Sequence, residues 1–246
     1  MRKKPEVRFR KANPKRVGAA GAPPPEGGAG EPDGRRIGRV LGLLEKAYPD
    51  AECALHHRNP LQLLVATILS AQCTDARVNL VTPALFRAFP DARAFAEADP
   101  GEVERLIHSC GYFRQKAKSI QACCRALAEE HGGEVPRTRE ELTRLAGVGR
   151  KTANVILNEA FGVPAVAVDT HVLRTSNRLG WVRTQDPLKV ELELLEMTPR
   201  RWWGRVTLLL IHHGRRCCTA RKPRCGACSV LAACPYGRKE TAPSSA

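Results

Sequence analysis

The stretch LTRLAGVGRKTANVI, residues 142–156, decides the fold. Leu142 and Leu145 stand one turn apart, as do Thr152 and Ile156 further on, and two glycines interrupt the apolar text between them. A helix is expected to end at Ala146 and a second to begin near Arg150. Gly147 and Gly149 are expected to take backbone angles that other residues avoid. Small residues at a helix start leave backbone N–H groups open to an anion. Arg150 and Lys151 add positive charge there. On this physics alone, the segment is a phosphate-binding hairpin or an ordinary tight turn between two helices.

The text around it is helical too. Apolar residues recur at three- and four-residue steps: Ile37, Val40, Leu41 and Leu44, then Leu61, Leu64, Val65 and Ile68, then Val103, Leu106 and Ile107. Pro49, Pro60, Pro90, Pro100, Gly111, Gly132-Gly133 and Pro136 punctuate these runs. Asp99-Pro100 and Thr138 sit where N-caps and first turns belong. Strand text is scarce, and only residues 165–168 look extended. The fold class is all-α. Aromatic residues are 5% of the chain, so the core should be mainly Leu, Val, Ile and Ala. No apolar run approaches the ~20 residues of a membrane span.

Forty Lys and Arg stand against 25 Asp and Glu, a formal charge of +15. A chain that basic usually meets a polyanion, most often nucleic acid. Residues 1–36, with six Pro and six Gly, contribute +6 of that charge and read as a disordered basic arm, leaving +9 on the remainder. Residues 237–246 read as a flexible tail.

Ten cysteines form two groups. Cys53, Cys73, Cys110, Cys123 and Cys124 lie in apolar helical text and read as buried, reduced small hydrophobes. The rest crowd into residues 217–234. There Cys218, Cys225, Cys228 and Cys234 are separated by six, two and five residues, and four thiolates in 17 residues fit either a tetrahedral zinc or a cubane cluster. Cys217 is extra to the pattern. Arg221, Lys222 and Arg224 fall between the first two of these cysteines, so a stapled loop would present three cations to a phosphate backbone.

The run LAGVGRKTANVILNEAFG (145–162), continued by AVAVDTHVLRTSNRLG (165–180) and by the 6-2-5 cysteine spacing, resembles the helix-hairpin-helix DNA glycosylases of the endonuclease III family. The resemblance extends over residues 37–236. It implies two helical lobes with a DNA cleft between them: a six-helix barrel over 53–163, and a cluster lobe combining 37–52 with 164–236. It implies a 4Fe–4S cluster on Cys218, Cys225, Cys228 and Cys234. It makes Lys151 the nucleophile and Asp169 its carboxylate assistant, with Gly147, Gly149 and Arg150 gripping the DNA backbone and Thr170 and His171 beside it. Taken locally, Asp169 is also a helix N-cap for residues 171–179, and the two roles can coexist. The first-turn position and the neighbouring Arg150 should both disfavour a protonated Lys151.

Two residues are matched to positions that enter the duplex when a base is extruded. Gln72, in ILSAQCTD (68–75), is one; its local alternative is a helix end, with Thr74 capping the next helix. Tyr112, in SCGYFRQKAK (109–118), is the other, where bacterial members carry Leu; its local alternative is a plain core residue. The implied activity is bifunctional: excision of oxidised pyrimidines from duplex DNA, then strand nicking through a lysine Schiff base. The expected partner is damaged double-stranded DNA, with no membrane, a monomeric state and a cytoplasmic, nucleoid-associated location. Alternatives are an adenine or mismatch-specific glycosylase of the same superfamily, classes that tend to lack this lysine, and a non-catalytic iron–sulfur DNA-binding redox sensor.

Overall fold

The computed structural model describes residues 34–242; the basic arm up to residue 33 and the last four residues lie outside the described part. The described residues are helical, with no strand among them. The helices are α1 Gly34–Ala47, α2 Pro60–Ser70, α3 Asp75–Ala88, α4 Ala92–Glu97, α5 Pro100–Ile107, α6 Phe113–Glu130, α7 Arg139–Leu142, α8 Arg150–Phe161, α9 Thr170–Arg178, α10 Pro187–Met197, α11 Trp203–Arg216 and α12 Pro235–Thr241.

Side-chain caps start many of them. Asn59, Thr74, Asp91, Asp99, Thr138 and Asp186 each accept a bond from a first-turn N–H, with Pro60, Pro100 and Pro187 seated in the first turns of their helices. A proline lacks an N–H that would be orphaned there anyway.

Two cores organise the chain. One gathers α2 through α8, with Phe95, Leu63, Leu64, Leu69, Ile107, Ile120 and Leu127 fully buried. Its centre is α2, buried along residues 63–69, as a helix apolar all round must be. α6 packs on α4 and α5, and α2 packs on α8. The other core joins α1 to the later helices: Ile37, Leu41 and Leu44 meet Val172, Val190, Leu194, Val206, Leu209 and Leu210. α11 bridges α1 and α9. Residues 165–168 are coil between the cores, with Ala165 in the first and Val166 and Val168 in the second.

Four expectations need correction. Residues 34–36 and 237–241, read as parts of the arm and the tail, are helical, opening α1 and completing α12. The helix before the hairpin ends at Leu142, not Ala146, because Thr143 already closes a turn onto Arg139 and the chain runs on as turns to Gly147. Of the two hairpin glycines, only Gly147 has a positive φ, +77°; Gly149 has φ −88° and ψ 175°, which any residue can adopt. Cys110, Cys123 and Cys124 are buried, but Cys53 and Cys73 are only half-buried.

Candidate active site

Lys151 is the second residue of α8, at the mouth of a cavity of about 100 Å3. Asp169 lines the same cavity, so the structure brings the two sequence candidates to one site. The walls come from both cores: Leu55 and Ala165 from the first, Thr207, Leu208 and Ile211 from α11 of the second. The cavity therefore opens where the two helical bodies meet.

α8 starts without a side-chain cap, because its N-cap is Gly149. Its opening N–H groups thus keep their capacity for an anion. Gly147 makes the tight approach of the hairpin to α6 and α2 possible: a Cβ there would lie 3.0 Å from Ser119 Cβ and 3.6 Å from Ile68 Cγ2. Arg150 departs from the expected free cation. Its Nε and Nη2 donate to the two carboxylate oxygens of the buried Glu191, at 2.8 and 2.9 Å. That pair offsets the positive charge that was expected to press on Lys151.

Asp169 caps α9 with one oxygen. Its Oδ1 accepts from the N–H of His171 and of Val172, both at 2.8 Å. The cap reading and the cavity position thus hold together, with Oδ2 taking no hydrogen bond among the described residues. Next to it, His171 is half-buried, and burial, the largest cause, lowers its pKa. Arg174 Nη2 lies 3.1 Å from His171 Nδ1. A guanidinium can only donate, so this contact favours a lone pair on Nδ1, while the ring's bond to the Gly214 backbone favours a proton. Thr170, the first residue of α9, is exposed.

Sequence reasoning missed several lining groups. Asn154, Asn158 and Glu159 follow Lys151 at three, seven and eight residues and share its face of α8; that spacing was the available signal. Asn154 is fully buried, and its Nδ2 donates to Val166 O at 2.8 Å. Burial raises the Glu159 carboxyl above the usual carboxylate range. Asp75 does more than open α3: its Oδ2 takes a 2.8 Å bond from Arg215 of α11, joining the two bodies at the cavity rim.

Gln72 and Tyr112 are alike in an unexpected way. Among the described residues they alone, apart from glycines, have positive φ, at 51° and 58°. Tyr112 is 71% exposed, which removes the core alternative, and Gln72 is exposed too. The helices beside these two turns are tied together: the buried Lys116 ammonium of α6 donates to Leu69 O of α2 at 2.9 Å. Left-handed backbone is costly for side chains other than glycine and gathers at functional sites.

Cys218, Cys225, Cys228 and Cys234 line one further cavity, together with Cys217 and His213. The ligand atoms of His213, Cys217 and Cys228 lie within 4.8 Å of one another, a grouping that could hold a metal. N–H donors are aimed at two of the expected ligand sulfurs: Arg178 Nη1 at Cys218 Sγ, 3.4 Å, and Gly237 N at Cys234 Sγ, 3.3 Å. Such donors can steady anionic metal ligands, although Cys234 Sγ also donates to Arg178 O at 3.4 Å. The loop between the first two cysteines is clamped by Arg178, which donates to Thr219 O at 2.7 Å and Ala220 O at 2.9 Å. Arg221 and Lys222 stay exposed, while Arg224 turns back to Arg216 O.

Comparison with known proteins agrees with this arrangement. Residues 65–200 match the family "HhH-GPD superfamily base excision DNA repair protein". The chain is 54% identical over 202 residues to endonuclease III of a Synechocystis species, covering 82% of this chain and 92% of that one. To endonuclease III of Bacillus subtilis it is 49% identical, covering 83% and 94%. Among solved structures, a trapped endonuclease III–DNA covalent intermediate superposes with a TM-score of 0.81 at 46% identity, covering 85% of this chain and 99% of the other. A thermostable thymine-DNA glycosylase shares the fold, with a TM-score of 0.75 at 23% identity, covering 83% and 98%. The chain therefore belongs to the endonuclease III family, the DNA glycosylases and AP lyases of base excision repair within the HhH-GPD superfamily.

Proposed function

We propose that this chain excises oxidised or ring-damaged pyrimidines, such as thymine glycol, from duplex DNA, with Lys151 as nucleophile. The observation that carries the residue-level reading is the shared cavity of Lys151 and Asp169 at the seam of the two cores. The Lys151 amine, once free of its proton, attacks C1′ of the extruded nucleotide's sugar and the base departs. A Schiff base forms, and β-elimination opens the strand. Asp169, through the oxygen left over from capping α9, stabilises positive charge developing on the sugar or takes up the lysine's proton.

DNA is held without sequence reading. The uncapped start of α8 at Gly147-Val148-Gly149 receives one phosphate, and His171 with the exposed Thr170, Arg221 and Lys222 meets others. Arg150 and Arg224 contribute mainly to their own surroundings, since their guanidiniums already serve Glu191 and Arg216 O. Gln72 and Tyr112 fill the space left by the extruded base.

Cys218, Cys225, Cys228 and Cys234 hold a 4Fe–4S cluster in this reading. When bound, it supplies a rigid anchor and one-electron chemistry. The chain's own part is to fix the basic loop on Arg178, so that Arg221 and Lys222 meet the phosphates in a set geometry. The two cores correspond to a barrel lobe over 53–163 and a cluster lobe of 37–52 with 164–236, acting as a monomer in the cytoplasm.

The test is a panel of lesion-bearing duplexes scored for nicking and, with borohydride, for a covalent adduct. Oxidised pyrimidines should give both, and Lys151→Ala should lose the adduct while keeping DNA affinity. An adduct that persists in Lys151→Ala assigns the chemistry to another amine.

A further inference from the structure

Tyr48, at the end of α1, and His213, on α11, take no part in the site at Lys151. Both are buried, at 8% and 2% exposure. The Tyr48 hydroxyl lies 3.0 Å from His213 Nδ1, and His213 Nε2 lies 3.9 Å from Cys228 Sγ. Their rings meet at 5.8 Å between centroids, and Cys217 Sγ also lies within 4.8 Å of the His213 ring nitrogen nearest the cysteines.

The proton position on His213 follows from its two neighbours. Cys228 as a metal ligand is a thiolate, an acceptor only, and an imidazole lone pair facing it would be repelled. The Nε2–H tautomer presents a donor to the sulfur instead. Nδ1 then carries the lone pair, and the Tyr48 hydroxyl is the donor that satisfies it. The contact to a thiolate selects this tautomer, and the Tyr48 hydroxyl, able to donate or accept, completes it by donating to Nδ1.

We propose that Tyr48 and His213 form a hydrogen-bond relay onto Cys228 that tunes the reduction potential of the cluster held there. The inference rests on the iron–sulfur reading above. An N–H donated to a ligand sulfur draws electron density from it and favours the reduced state, so the relay raises the potential. Of the four expected ligands, Cys228 is the one bonded to this histidine; Cys218 and Cys234 receive theirs from Arg178 and Gly237. Because Tyr48 directly follows α1 and Cys228 lies beyond α11, the relay also ties the end of the first described helix to the cysteine segment.

The experiment uses the full chain loaded with iron, in wild-type form and as Tyr48→Phe, His213→Leu and His213→Gln. Iron content and visible absorbance report whether a cluster is present; protein-film voltammetry on DNA-modified electrodes reports its midpoint potential. His213→Leu should lower the potential with iron content unchanged. Tyr48→Phe, which removes one oxygen from a residue that does not touch sulfur, should lower it by less. His213→Gln, whose amide nitrogen falls near the lost Nε2, should restore most of the shift. Loaded Tyr48→Phe and His213→Leu proteins with the wild-type potential would overturn the relay, and a shift in His213→Leu alone would remove Tyr48 from it. If His213→Leu does not fold, Tyr48→Phe decides. A wild-type chain that binds no iron is a separate failure, of the cluster reading itself, and the iron assay identifies it as such.

Discussion

Asp169 can be made to lose one role and keep the other, because the structure divides its two oxygens. Oδ1 accepts both cap bonds, from His171 N and Val172 N, while Oδ2 is bound to neither. Asparagine keeps the capping carbonyl and is as good an N-cap as aspartate. Alanine keeps nothing. Loss of the cap costs about 1 kcal/mol, and loss of the negative charge at a helix start a further ~0.5 kcal/mol. Asp169→Ala should therefore be destabilised by about 1.5 kcal/mol, lowering Tm by roughly 3–6 °C for a chain this size. Asp169→Asn should melt within about 1–2 °C of wild type, carrying only the smaller charge term. Excision should respond differently: both variants lose the carboxylate charge facing the sugar, and removing one such group typically costs about 10²–10³-fold in rate. The assays are thermal unfolding and single-turnover excision on a thymine glycol duplex. A normal rate in Asp169→Asn would reduce Asp169 to a cap; equal destabilisation in both variants would refute the division of oxygens.

Gly147→Ala places a Cβ at φ +77° and 3.0 Å from Ser119 Cβ, so urea unfolding should show a loss of about 2 kcal/mol, with DNA affinity falling as the hairpin shifts. An unchanged midpoint would mean the turn relaxes freely. Glu159→Gln probes a carboxyl whose folded pKa is raised by burial. Ionisation then opposes folding as pH rises through that value, and below the ordinary glutamate pKa, about 4.3, both states are protonated and nothing differs. The glutamine variant should therefore be more stable than wild type at pH 7.5 and lose that advantage near pH 4; the same advantage at both would exclude burial as its cause. Undamaged-duplex affinity should fall steeply with salt, and Arg221→Ala with Lys222→Ala should flatten the log–log slope by about one unit per residue. A slope unmoved by the pair would take this loop off the DNA.

Much of the fold was legible because helix starts are local. Asp99, Thr138, Thr74 and Asp169 could be read as caps from a few neighbouring residues, and each accepts its first-turn N–H. The pairing of Lys151 with Asp169 came from matched motifs rather than periodicity. What stayed hidden depends on contacts distant in sequence or on backbone torsion. Nothing near Arg150 announces Glu191, 41 residues on, and nothing near Asp75 announces Arg215, 140 residues on. Gly147 and Gly149 look equivalent in the text, yet only the one packed on Ser119 takes the left-handed angle. The short α7 was overextended because Leu145 continues the apolar spacing past the point where the helix has stopped.

Gln72 and Tyr112 hold side chains in solvent on backbone that prefers glycine. Glycine at either place would relax the torsion, and the resting protein would gain stability from it. If these side chains enter the duplex as proposed, Gln72→Gly and Tyr112→Gly trade that grip for a sturdier resting protein.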